Sequence, residues 1–129
     1  MRGRSLLGCL LVFVYCNINP FVQGERLYEY HCSGCHMSNG EGMAKLYPPI
    51  VASDYLENHA EELACIIKFG MQDSIVVNGS EYDQPMAGNN QLSAAEIANV
   101  VNYIWYKWYG GNNVVTESKI LVQLELCTN

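Results

Sequence analysis

The chain has 129 residues, 50% of them hydrophobic, and thirteen acidic residues against seven Lys and Arg give it a formal net charge of −6. This acidity argues against a nucleic-acid-binding protein, because such proteins carry a basic stripe. The length and the absence of an internal repeat predict one small domain.

The N-terminus has the pattern of a secretory signal peptide. Arg2 and Arg4 precede an apolar stretch from Leu6 to Tyr15. The segment Val22-Gln23-Gly24 then ends in a small residue, as a signal-peptidase cleavage site does. We therefore predict that residues 1–24 are removed by cleavage after Gly24. Loss of the two arginines leaves five basic against thirteen acidic residues, a formal net charge of −8.

Membrane attachment is the alternative to release of the mature chain. The apolar stretch is about half the length of roughly 20 residues that a membrane-spanning helix needs, so only an uncleaved anchor would retain the protein. Lipidation is a weaker alternative, because Cys9 comes too early in the apolar run and Cys16 follows the bulky Tyr15.

A first helix is predicted from about Glu25 to Cys35, and it carries the pattern Cys32-Ser33-Gly34-Cys35-His36. C-x-x-C-H is the attachment signature of a c-type haem. Two thiols one helical turn apart can both add to vinyl groups on one porphyrin edge, and the adjacent imidazole can then bind the iron. A zinc site would need further ligands, and a thioredoxin-like motif would need a strand–helix–strand pattern; neither follows here.

The middle of the chain is predicted as loop, helix and loop. Residues 37–53 contain two glycines and two prolines and form a loop. A second helix runs from about Asp54 to Phe69 and ends at Gly70. Residues 74–90 form a loop or short extended stretch with a turn at Asn78-Gly79. One face of the second helix is formed by Leu56, His59, Ala60, Leu63, Ile66 and Ile67.

A third helix begins at the capping box from Ser93 to Glu96 and ends at Gly110-Gly111. Its apolar positions recur with helical spacing at Ile97, Val100, Val101, Ile104, Trp105 and Trp108. A short tail helix starts near Thr116 and presents Ile120, Leu124 and Cys127 on one side. Since no convincing strand alternation is present, these elements predict an all-α fold.

Two cysteines, Cys65 and Cys127, lie outside the leader and the haem motif. Cys65 falls on the polar face of the second helix, which is unusual because isolated cysteines are usually buried. Cys127 falls on the apolar side of the tail helix. We predict a Cys65–Cys127 disulfide that straps the tail across the second helix, with two free thiols or pairing between molecules as the alternatives.

Several further segments follow the haem motif and share an order with a known family. They are Tyr47-Pro48-Pro49-Ile50, Asp54-Tyr55-Leu56, Val77-Asn78-Gly79, Tyr82 with Met86, Leu92-Ser93, Glu96-Ile97-Ala98 and Val101-Asn102-Tyr103-Ile104, and Leu27-Tyr28 precedes the motif. With them, the stretch from Arg26 to Gly111 resembles class I cytochrome c, in particular the small monohaem bacterial cytochromes. The resemblance implies a periplasmic protein whose helices, in residues 25–111, wrap around one covalently bound haem. Residues 112–129 would add a C-terminal tail helix packed on this domain.

The resemblance also implies a set of site residues. Haem c would be bound through Cys32 and Cys35, with His36 as the first axial ligand. In the family, a methionine on the loop before the final helix is the second ligand, and Met86 matches it. The family often has proline just after this methionine. In this chain Pro85 precedes Met86 and Ala87 follows it.

The remaining methionines compete less well for the iron. Met37 and Met43 are tethered too close to His36, and Met71 directly follows Gly70 at a helix end. Pro48 is implied to supply the carbonyl that accepts the second ring N–H of His36. A loop merely stiffened by Pro48-Pro49 is the alternative.

The implied function is single-electron transfer by haem iron with His36 and Met86 as ligands, and not enzyme catalysis. The partner would be a redox protein or a membrane complex, such as a terminal oxidase or reductase, with a basic docking patch. The alternative is that the net negative charge only keeps the protein soluble and has no role in docking. A five-coordinate haem that acts as a weak peroxidase or binds a gas is the second hypothesis, although no surplus histidine is obviously placed for it. A fixed haem subunit of a membrane oxidase or reductase is the third.

Overall fold

The computed structural model describes residues 19–111 and 114–127. The helices in these ranges are α1 (Val22–His31), α2 (Ser33–His36), α3 (Asp54–Asn58), α4 (Leu63–Phe69), α5 (Ala94–Tyr109) and α6 (Glu117–Glu125), with a 3₁₀ turn at Ala60–Glu62. The strands are β1 (Gly70–Met71), β2 (Ile75–Val77), β3 (Ser80–Tyr82) and β4 (Met86–Ala87). The possible lipidation sites Cys9 and Cys16 and most of the predicted leader lie outside the described residues.

Two short antiparallel pairs make the all-α prediction wrong, since the fold is mostly helical with small strands. β2 pairs with β3 from Ile75↔Tyr82 to Val77↔Ser80, and β1 pairs with β4 through Gly70↔Ala87 and Met71↔Met86. Asn78 and Gly79 both have positive φ, 51° and 76°, as a tight hairpin turn requires. Strands of two or three residues are too short for apolar and polar positions to alternate visibly in the sequence.

Helices α1 and α5 pack against each other at close range. Gly24 is buried there, and a Cβ on it would collide with the Asn99 backbone and the Tyr103 side chain. One turn later, the Tyr28 and Tyr103 rings lie 5.6 Å apart. Gly24 thus lets the two helix backbones approach each other.

Helix α1 begins at Val22 and not at the predicted Glu25. The residues before α1 also contact the helices: Asn19 Nδ2 donates to Glu25 Oε2 at 2.9 Å, and Phe21 packs on Tyr106 with ring centroids 5.3 Å apart. Cleavage after Gly24 would remove the first turn of α1 and its contact with α5. The predicted boundary at Gly24 therefore lies within the first turn of α1.

The predicted second helix is interrupted at His59. Its backbone there has φ −120° and ψ 30°, so α3 ends and a 3₁₀ turn precedes α4. The His59 ring stacks on Tyr55 at 4.0 Å, and its Nδ1 lies 2.7 Å from the Tyr55 carbonyl oxygen. The apolar spacing continues across the break, with Leu56 and Leu63 both buried, and this is why it predicted one helix.

Helix α5 supplies the centre of the core. Ser93 and Glu96 form the predicted capping box, and Gly110 ends the helix in the left-handed conformation. Eight of its residues are buried: Ala94, Ile97, Ala98, Val100, Val101, Asn102, Tyr103 and Ile104. The predicted apolar stripe therefore faces the interior.

The tail helix α6 packs on α4 and α5. Thr116 caps it by accepting from Lys119 N, and Ile120 is fully buried. Asn102 exchanges two hydrogen bonds with the Val115 backbone, of 2.9 and 2.7 Å. The structure places the Cys65 and Cys127 sulfurs at bonding distance, with their Cα atoms 5.7 Å apart.

The Lys119 ammonium pairs with the Glu61 carboxylate at 3.1 Å, and Gln123 donates to the same carboxylate, so polar contacts accompany the burial of Ile120.

Across the two described ranges, no helix has the length and apolarity to cross a bilayer.

Candidate cofactor site

A cavity of about 390 Å³ opens between the helices and the strands. Five predicted site residues from three separate segments line it together: Cys32, Cys35, His36, Pro48 and Met86. Most of the wall is apolar and includes Ile50, Leu56, Leu63, Ile67, Val100 and Ile104. The chain therefore gathers its candidate thiol, imidazole and thioether groups at one place.

The Cys32–His36 motif forms a single helical turn that lines one side of the cavity. Cys32 ends α1 and caps α2, and its carbonyl accepts from Cys35 N at 3.1 Å and from His36 N at 2.9 Å. Neither Cys32 nor Cys35 is disulfide-bonded. Burial, with Cys35 and Glu29 nearby, raises the pKa of the Cys32 thiol to about 11, so this thiol is uncharged near neutral pH.

The imidazole of His36 is held in one orientation. Its Nδ1 lies 3.0 Å from the Pro48 carbonyl oxygen, and because a carbonyl can only accept, Nδ1 carries the proton. Burial lowers the pKa of His36, partly opposed by this hydrogen bond, and the neutral ring leaves Nε2 with a free lone pair. The predicted contact between His36 and Pro48 is present in the structure.

Met86 reaches the cavity from strand β4, which pairs with β1. The two backbones are close, because a Cβ on Gly70 would collide with the Met86 carbonyl and one on Gly88 with the Phe69 backbone. Gly70 also has φ +81°. These glycines let the segment carrying Met86 lie directly against the end of α4.

A family model for cytochrome c matches residues 21–108, a stretch that contains the cavity-lining motif, Pro48 and Met86. The chain belongs to the cytochrome c family. It is 35% identical over 89 residues to cytochrome c-552 of Thermus thermophilus, and the alignment covers 66% of this chain and 67% of that protein. These similarities place it among the class I c-type cytochromes.

Two further relatives show how much of a longer protein such a domain represents. A second cytochrome c-552 of Thermus thermophilus is also 35% identical over 89 residues, which are 66% of this chain and 60% of that protein. The cytochrome c subunit of a quinone alcohol dehydrogenase from Gluconobacter oxydans is 32% identical over 94 residues, 70% of this cytochrome but 19% of that subunit.

The residues of the cavity fit the haem c that the family implies. Two free thiols stand one turn apart beside a neutral imidazole with a free Nε2, and an apolar wall matches the apolar faces of a porphyrin. When bound, haem supplies an iron that changes between Fe(II) and Fe(III). Cys32 and Cys35 would attach it, and His36 and Met86 could ligate it.

The structure adds two further side chains of metal-ligating type to the cavity, which the sequence did not place there. Met71 lines it, directly across the strand pair from Met86. His31 also lines it, exposed, with its Nδ1 2.8 Å from the Asn89 amide nitrogen. Met71 is brought there by the β1–β4 pairing, which leaves no local signal in the sequence, whereas His31 lies at the cavity because it directly precedes Cys32.

Proposed function

We propose that this cytochrome is a single-electron carrier, with one haem c attached through Cys32 and Cys35 and with His36 and Met86 as axial ligands. The main support is the convergence of these residues on one apolar cavity, where the Pro48 carbonyl orients the His36 ring. Two protein ligands leave no coordination position for a substrate, and a thioether favours the ferrous state and raises the potential.

The chain's own residues support electron transfer in three ways. Pro48 fixes the tautomer of His36, so Nε2 is available without rearrangement. The apolar wall excludes water and keeps reorganisation small on a change of iron charge. Exposed Cys35 and His31 lie at the opening of the cavity, where a partner could approach closely.

Spectroscopy of the intact protein tests the ligand set. The oxidised protein should show a methionine–iron charge-transfer band in the near-red, and the reduced protein should bind carbon monoxide slowly. With ¹³C-methyl methionine, the reduced protein should show one strongly upfield methyl signal, which site-specific replacement assigns to Met86. A missing band with fast carbon monoxide binding would favour the five-coordinate peroxidase or gas-binding alternative and refute the carrier.

We also propose export to a bacterial periplasm, because covalent haem attachment and an N-terminal signal pattern occur together. The first turn of α1 supports a mature chain that keeps Phe21 and Gly24, so cleavage would fall before Asn19. N-terminal sequencing of the exported protein checks this. A first residue at or before Asn19 is expected, and a first residue of Glu25 would contradict it.

A partner with a basic docking patch is proposed from the acidity around the cavity. Residues 72–85, which include part of the cavity wall, carry Asp73, Glu81 and Asp83 and no Lys or Arg. The partner would be a soluble redox protein or a membrane oxidase or reductase. Similarity to the cytochrome c subunit of a dehydrogenase also supports a fixed place within a larger complex.

The Cys65–Cys127 disulfide is proposed to form in the exported protein. Its support is the position of the two sulfurs in the structure and the packing of α6 on α4. Peptide mass spectrometry without reduction should yield a cross-linked pair. Alkylation of Cys65 in the mature protein would instead indicate free thiols, and a cross-linked dimer would indicate pairing between molecules.

A further inference from the structure

Two methionines share the cavity, although only one is needed as an axial ligand. Of Met37, Met43, Met71 and Met86, only Met71 and Met86 line it. Both are half-buried, and they are direct partners in the antiparallel β1–β4 pair. Met71 therefore lies directly opposite Met86 at the cavity, which its position after Gly70 did not predict.

The geometry of the strand pair places the two side chains side by side. Directly opposed residues of an antiparallel pair project from the same face, with Cβ atoms about 4.5–5.5 Å apart. Both thioethers have the same length and three rotatable bonds, so each can reach the space beside the other. A sulfur on Met71 can thus approach the position that the Met86 sulfur occupies.

Removal of the Met86 side chain would favour this movement. The β1–β4 pair is held by backbone contacts of Gly70, Ala87 and Gly88, which do not depend on the side chain at position 86. Truncation to alanine leaves free volume next to Met71, and unfilled volume in an apolar interior is unfavourable. A flexible thioether is well suited to fill it.

We propose that Met71 is a reserve axial ligand, whose thioether binds the haem iron when that of Met86 is absent. This inference rests on the proposed function, in which Met86 is the resident ligand. The donor chemistry is unchanged, because one neutral, soft sulfur replaces another. Its consequence is that the carrier keeps a six-coordinate iron after losing its primary ligand.

Four variants of the haem-loaded protein test the proposal: Met86→Ala, Met71→Leu, Met71→Leu/Met86→Ala and the matched control Met43→Leu/Met86→Ala. Met86→Ala should keep a methionine–iron band and an upfield ¹³C-methyl signal, now from Met71, with slow carbon monoxide binding. The double variant at positions 71 and 86 should lose all three features. The control should keep them, because Met43 does not line the cavity.

The outcomes separate this inference from the proposed function. If Met86→Ala alone loses the band and binds carbon monoxide as fast as the double variant, Met71 is no reserve ligand, while Met86 remains the resident one. If Met71→Leu alone loses the band, Met71 is the primary ligand and both proposals fail. If the Met43 control loses a band that Met86→Ala keeps, the reserve sulfur is Met43. Should Met86→Ala not accumulate, Met86→Thr, with a β-branched side chain suited to a strand, replaces it throughout.

Discussion

The orientation of His36 depends on Gly42, which lies against the Pro48 carbonyl. Gly42 has φ +70°, and a Cβ there would collide with the Tyr47 carbonyl and with the Pro48 carbonyl group, which accepts the hydrogen bond from His36 Nδ1. The amide of Gly42 also donates to the His36 carbonyl at 3.0 Å. Gly42 is thus a positioning residue between the two ends of the His36–Pro48 contact.

Gly42→Ala should displace the Pro48 carbonyl and expose the Nδ1–H of His36. Alanine in a left-handed conformation is strained, and with the collision we expect a loss of about 1–3 kcal/mol in the free energy of unfolding. Denaturant titration measures this loss, and solvent exchange of the imidazole Nδ1–H, followed by NMR, should accelerate.

Gly34→Ala is the matched control, because a Cβ at position 34 meets no atom within 4 Å beyond its chain neighbours and the backbone of its own helix. It should leave both the stability and the Nδ1–H exchange close to those of the wild type. Equal behaviour of the two variants would show that Gly42 does not position Pro48.

At the scale of secondary-structure elements, the proposed Cys65–Cys127 disulfide would join the tail helix to α4. The two residues are 62 positions apart in the chain, and closing a loop of this length is worth about 4 kcal/mol in the chain-entropy model. The bond would act mainly by restricting the unfolded chain, since the buried Ile120 and the Asn102–Val115 hydrogen bonds already seat α6.

The double variant Cys65→Ala/Cys127→Ala should therefore be less stable by about 2–4 kcal/mol, as for other native disulfides. Its haem spectrum should not change, because no residue of α6 lines the cavity. Denaturant titration with ascorbate present throughout to keep the iron ferrous, and with and without a thiol reductant, provides the measurement: the thiol should destabilise the wild type toward the variant and leave the variant unaffected. If the double variant unfolds at the same denaturant midpoint as the untreated wild type, the disulfide either does not form or does not stabilise the fold.

Elements whose signals are local could be predicted from the sequence, and those made by pairing could not. Ser93 and Glu96 are three residues apart, so the start of α5 was correctly predicted. The β1–β4 pair joins residues 15 or more positions apart with only two residues per strand, and no periodicity marks it. The position of Met71 after Gly70 therefore indicates a helix end, whereas the pairing with β4 brings it to the cavity.

The site was predictable to the extent that its chemistry lies in adjacent residues. The spacing of Cys32, Cys35 and His36 indicates haem attachment by itself, because one helical turn carries all three groups. Pro48 and Met86 came from resemblance to a family, since distant chain segments meet at the cavity only after folding. Gly42 had no sequence signal beyond its glycine, as its role depends on the approach of the Pro48 carbonyl.

At the scale of the whole molecule, one segment at the border of the cavity carries acidic side chains and no basic ones. Asp73, Glu81 and Asp83 are exposed in residues 72–85, which border the cavity and contain no basic residue. An electron leaves or enters where a partner approaches the haem most closely, so charge at this border acts on the encounter more strongly than charge elsewhere. The effect should weaken above about 0.1 M salt, where the screening length is about 10 Å.

Charge reversal separates the local effect from net charge. In Glu81→Lys/Asp83→Lys, electron transfer to a cationic cobalt(III) phenanthroline oxidant should slow several-fold at low salt, and transfer to ferricyanide should accelerate, because like charges now repel and opposite charges attract at the cavity. Stopped-flow kinetics at several ionic strengths supplies both rates. Glu117→Lys/Glu125→Lys on α6 changes the net charge by the same amount away from the cavity and should alter the rates much less. If the two double variants change both rates equally, total charge alone governs the encounter, and no basic patch on a partner needs to face residues 72–85.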